Sequence, residues 1–142
     1  MSIVFQPVST CLYALVGIVS LVMAAKSLRA DAFLSFHEAA AGQPWDSIGN
    51  GLQAVIITLL GLTGLGFLVA GLGLLVAAVA NNLRGGLGVT LALSSLSLLF
   101  CVGLGVLNHR LQMRTNAPTP WRGSLYAAAA VAVALVLSIA RW

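Results

Sequence analysis

Four stretches of this chain contain no Lys, Arg, Asp or Glu: Ile3–Ala25, Leu52–Leu83, Gly85–Leu107 and Gly123–Ala140. A bilayer core of about 30 Å needs roughly 20 apolar helical residues, so each stretch can cross once, the last by the smallest margin. Every charged residue falls between or beyond them, as expected where hydrocarbon excludes charge at a few kcal/mol per residue. Over 142 residues the composition is 60% hydrophobic and 7% charged, and mean hydropathy is +1.03, far from soluble usage. No stretch alternates in the manner of a membrane strand, and four strands could not close a barrel.

The predicted fold is therefore all-α: an integral membrane antiparallel four-helix bundle forming one domain over 1–142. Its helices are expected at about 3–28, 47–83, 86–110 and 121–141, with an amphipathic interfacial loop over 29–46. The first stretch lacks a basic leader and runs directly into Lys26 and Arg29, so it reads as a retained helix and not a signal peptide. Cys11 and Cys101 lie near opposite ends of their helices, beyond disulfide reach, and read as small buried apolar groups.

Four crossings place loop one (26–51) and loop three (108–122) on one side. That side holds Lys26, Arg29, Arg110, Arg114 and Arg122, against Arg84 and Arg141 on the other. The excess predicts that loops one and three are cytoplasmic. Pro-Trp pairs at 44–45 and 120–121 stand on that side, each ahead of an even-numbered helix. Proline suits a first helical turn and tryptophan the headgroup level, so Trp45 and Trp121 read as interface anchors.

The second stretch carries Gly64, Gly66, Gly71 and Gly73, two pairs each seven residues apart. Lipid gives helices no hydrophobic reason to associate, and small residues that let backbones approach supply packing instead. These glycines predict a tightly packed second helix inside the bundle.

Titratable chemistry gathers on the side of loops one and three. The candidate polar site is His37, Glu38, Asp46, His109, Arg110 and Arg114. His37-Glu38 lacks the second histidine of a zinc protease helix, since position 41 is Ala, and no metal site is assigned. No glycine-rich phosphate loop, nucleophile triad or other cofactor motif is legible, and no basic cluster with interleaved aromatics points to nucleic acid. Charge-free spans argue against a proton-coupled transporter.

The segments FLSFHEAAAGQPWD, GLQAVIITLLGLTGLGFLVAGLGLL and MRTNAPTPW resemble those of a group of small bacterial four-helix membrane proteins with no assigned activity. On that resemblance Phe36, His37, Gly42, Trp45, Gly51, Gln53, Gly64, Gly66, Gly71, Pro120 and Trp121 are family positions. The resemblance implies fold and bacterial origin and leaves function open.

Three functions fit these residues. The first is binding of a partner protein, a lipid or a small apolar ligand at the face of loops one and three, with membrane lipid as the surrounding partner and homo-oligomers allowed. The second is a membrane-boundary enzyme using His37 with Glu38 or Asp46 and His109. The third is an oligomeric pore lined by Gln53, Thr58, Thr63, Thr90 and the serines of the third helix.

Overall fold

The computed structural model describes residues 2–83 and 85–141, with side chains from Phe5 onward. Arg84, used above for topology, lies outside the described residues, as does Trp142. Among those described there are five α-helices, one 3-10 turn and no strand: α1 (Ser2–Leu28), α2 (Ser35–Ala41), the turn Trp45–Ser47, α3 (Asn50–Ala80), α4 (Leu87–Thr115) and α5 (Trp121–Arg141). Four of them, all but the seven-residue α2, are long and apolar enough to cross a membrane.

Glycine, proline and asparagine set the helix ends. Gly42 takes the left-handed conformation (φ 67°) and its N–H donates to the Glu38 carbonyl, which closes α2. Asn116 does the same for α4 (φ 56°), donating to Gln112 shortly before Pro118. Between α3 and α4 the chain reverses through Gly85 (φ 79°) and Gly86, where any Cβ would collide with the Ala80 carbonyl.

The two Pro-Trp pairs behave differently. Pro120 immediately precedes α5 and its carbonyl accepts from Gly123 N–H, so this pair opens a long helix. Pro44 and Trp45 instead open the separate 3-10 turn, and α3 begins only at Asn50 and not at 47. Ile48 and Gly49 are extended there, and that kink breaks the helix the sequence suggested. At this same end of the bundle α4 continues past 110 to Thr115, so Arg110 and Arg114 ride on helix and not on loop.

The long helices form a closed ring in which α1 packs on α3 and α5, and α4 packs on α3 and α5. Residue numbers rise along one helix as they fall along its neighbour: Gly17 meets Gly71, Leu28 meets Gly64, and Phe100 meets Gly66. The glycines of α3 serve two faces. Gly64 and Gly71 admit α1, with a Cβ at 71 only 2.9 Å from the Gly17 carbonyl oxygen. Gly66 admits the Phe100 ring of α4, and Gly73 lies beside Ser97 and Leu93. Spacing by seven therefore makes two seams and not one.

The expectation of α3 inside the bundle is corrected. Leu62, Val69, Val76 and Val79 on α3 are exposed, because a ring of four helices has no central place and each member keeps an outward face. The buried apolar core lies toward the chain ends, where Tyr13 and Val16 of α1 pack with Leu74 and Ala78 of α3 and with Val131 and Ala134 of α5. Cysteine placement also differs from expectation: both thiols are free and Cys101 is buried, but Cys11 is exposed.

Candidate functional site

Toward loops one and three the ring opens. A cavity of about 500 Å³ lies there, walled by α1 from Leu15 to Ser27, by Leu60, Thr63 and Phe67 of α3, by Cys101, Leu104 and Asn108 of α4, and by α5 from Gly123 to Ala130. Leu34, Phe36 and His37 of the loop-one segment close its end. The most exposed wall residues are Leu15 (60%) and Tyr126 (73%), on α1 and α5, so the cavity opens sideways between those two helices. Most of the wall is aliphatic or aromatic, and a space of this size is typical of sites that enclose one small molecule.

The roof is built by loop one. Helix α2 starts with the His37 N–H donating to the Leu34 carbonyl at 2.8 Å and packs against α4. Phe36 and His37 have ring centroids 3.9 Å apart, and Phe33 stands edge-on to Trp45 at 5.0 Å. The Gln53 side chain donates to the Trp45 carbonyl at 3.0 Å, which ties the 3-10 turn to the first turn of α3. An aromatic segment thus replaces a solvated linker, and its imidazole is carried inward.

Burial pushes the His37 pKa below its ordinary value, because desolvation penalises the imidazolium, and its Nδ1 is buried with no hydrogen-bond partner. The other residues of the candidate polar site are placed elsewhere. Glu38 and Asp46 are exposed, on α2 and on the 3-10 turn. His109 is exposed and stacks on Trp121 with centroids 4.9 Å apart, and the Arg122 guanidinium lies 5.5 Å from the centre of the same indole. Arg110 and Arg114 are exposed on the last turns of α4. Among the described residues no three His, Cys, Asp or Glu side chains gather as a metal site would require.

Most of the residues named for a pore are engaged with backbone, as is Ser97, while Ser94 is buried with no partner among the described residues. Gln53 bonds the Trp45 carbonyl, Thr58 that of Ala54, Thr63 that of Leu59 and Thr90 that of Gly86. Such back-bonding satisfies a hydroxyl within its own helix.

Sequence reasoning passed over Ser20, Ser27 and Asn108, which line the cavity. A usable signal existed for the serines, since they are seven residues apart in an otherwise apolar stretch and so share one face of α1. Nothing in the sequence marked Asn108 as facing the same space as His37, because that depends on how α2 folds onto α4. Comparison with protein families, with curated proteins and with solved structures finds no match to this chain.

Proposed function

We infer that this protein is a multi-pass integral membrane protein, an antiparallel four-helix bundle, that binds a lipid or small apolar ligand at the end formed by loops one and three. The observation that carries this reading is the sideways-opening apolar cavity roofed by Phe36 and His37. In a bilayer its opening between α1 and α5 would face acyl chains, so an apolar occupant could enter without crossing water. The exposed leucines and valines around the whole ring support immersion in lipid, since water would not tolerate that much apolar surface on a monomer. Helix α3 has 31 residues and is about 46 Å long, more than one hydrocarbon thickness, so it would tilt or project.

The excess of cations on loops one and three favours a cytoplasmic position for the roof, and the resemblance to small bacterial proteins favours the inner membrane. Under this arrangement Trp45 and Trp121 stand at the headgroup level and anchor the two ends of the roofed face. The reading needs no reacting groups. Glu38 and Asp46 are exposed, so the carboxylates an enzyme would use do not line the apolar space.

Filling the space tests the reading. Ala130→Phe places a ring in the cavity wall, and the purified protein in phosphatidylcholine nanodiscs should then lose the crosslinks to a chain-diazirine lipid that the unaltered protein forms at α1 and α5 wall residues. Equal labelling of the two proteins at those residues would refute the cavity as a ligand site.

A further inference from the structure

The cavity carries a pattern of polar groups that apolar binding alone leaves unexplained. Ser20 and Ser27 are 6% and 3% exposed and line the cavity, and their hydroxyls have no hydrogen-bond partner among the described residues. Several hydroxyls elsewhere in the bundle bond back to their own helices: Thr58, Thr63, Thr90, Ser97 and Ser138 each donate to the carbonyl four residues before, whereas Ser94 on α4 is buried with no partner among the described residues. The two serines of α1 had the same option and do not take it. The Asn108 carbonyl is taken by the Thr119 hydroxyl at 2.8 Å, yet the side-chain amide of this lining residue has no partner among the described residues. His37 Nδ1 is likewise buried and unpartnered.

These groups are ordered along the cavity. Ser27 near the end of α1, His37 on the roof and Asn108 near the loop end of α4 mark its roofed end, and Ser20 lies about 10 Å further along α1. Together they offer hydroxyl, imidazole and amide, which both donate and accept. None carries a fixed charge, and among the described residues no Lys, Arg, Asp or Glu lines the space. An ionised head buried among them would have no counter-charge, whereas a hydroxylated head would meet partners for each of its polar atoms.

Resting on the cavity reading, we propose that the occupant is a single-chain neutral lipid, whose uncharged hydroxyl-bearing head lies among Ser27, His37 and Asn108 and whose chain runs inward past Ser20. About 500 Å³ suits one chain, and the sideways opening lets the chain leave the bilayer while its head stays near the interface. Burial at His37 disfavours the imidazolium, which is consistent with a head that brings no anion. The serines are binding residues here, and their unused back-bonding geometry is what leaves their hydroxyls free for the ligand.

Two probes with the same diazirine-bearing chain decide the matter: a monoacylglycerol and the corresponding free fatty acid, each added to the full chain in phosphatidylcholine nanodiscs at pH 8. The monoacylglycerol should label α1 and α5 wall residues about tenfold more strongly than the fatty acid, the factor expected for one or two neutral hydrogen bonds. Excess unlabelled monoacylglycerol should compete. Ser27→Ala combined with Asn108→Leu should remove that preference while labelling of the outward-facing Leu99 stays constant, and Ser27→Ala alone should reduce it in part. Equal cavity labelling by both probes, or a preference unmoved by the variants, overturns the neutral-head assignment and leaves the cavity reading intact. Absence of cavity labelling by either probe overturns both.

Discussion

The two ends of this bundle are built from similar helices and behave differently. At the end holding the chain termini, polar side chains reach across between helices. Asn81 donates to Ser9 at 2.9 Å and Thr10 at 3.1 Å, Gln6 donates to Asn82 at 2.7 Å, and Tyr13 pairs with Ser138 at 3.3 Å. The Arg141 guanidinium donates to the Asn81 carbonyl, so α1, α3 and α5 are joined at one level. At the roofed end, close approach runs between neighbours: Gly64 with Leu28 between α3 and α1, Gly66 with Phe100 between α3 and α4, and Gly105 with Leu125 between α4 and α5. Among the described residues no side-chain hydrogen bond or close glycine contact joins α1 to α5 at this end, where both helices line the cavity.

The contrast teaches where specificity resides in a chain of mostly apolar residues. In lipid, apolar side chains are indifferent to whether they meet protein or acyl chain, so helices close only where small residues or cross-helix hydrogen bonds favour it. Remove both, and a helix pair diverges. The short connection through Gly85 and Gly86 holds α3 and α4 together, whereas the long segment 29–49 between α1 and α3 is free to fold inward as α2 and cover the gap.

The comparison can be broken most forcefully at the seam both ends share. Gly71→Leu would drive a side chain into the Gly17 carbonyl and Leu21, and should destabilise the bundle by about 3 kcal/mol, read as a lower midpoint in detergent unfolding. Asn81→Leu removes the clamp at the terminal end. Its expected cost is nearer 1 kcal/mol, because cross-helix bonds in lipid are individually modest and the Asn81 Oδ1 has no partner to lose. Ala130→Phe should act oppositely, abolishing cavity labelling while changing the unfolding midpoint by less than about 1 kcal/mol, since it fills space without touching the clamp. If Ala130→Phe proved as destabilising as Gly71→Leu, the roofed end would be packed and not open.

A smaller effect should follow pH. Burial lowers the His37 pKa, so the undocked α2 takes up a proton before the docked one does. Docking of the roof is therefore fully favoured above the usual imidazole value of about 6.5 and weakens as pH falls from there toward the lowered value. Amide exchange of Ser35–Ala41, corrected for intrinsic rate, should be slower at pH 7.5 than at pH 5.5, and His37→Gln should erase the difference.

Several of these features could be read from residues alone. The four charge-free stretches fixed the number and type of long helices, because hydrocarbon penalises charge whatever the tertiary arrangement. The glycine pairs of α3 foretold close packing at the right residues, yet not that Gly64 and Gly71 serve α1 while Gly66 and Gly73 serve α4. His37 was named for its chemistry, and it does reach the cavity; Glu38, named with it, points to no shared site and is exposed. Consecutive residues on a short helix face different surroundings, and the sequence does not say which one turns inward.

By itself the sequence determined the long helices: four runs of apolar residues, each long enough to cross a bilayer, became the four long helices. Which helices would touch, which would part, and which polar side chains would face the resulting space were decided only by the tertiary structure. The reason is that lipid-facing and protein-facing positions here are built from the same leucines, valines and alanines, so composition cannot tell a seam from an outer wall. Ser20 and Ser27 illustrate it, being unremarked hydroxyls in an apolar stretch until α5 draws away and leaves them facing a cavity.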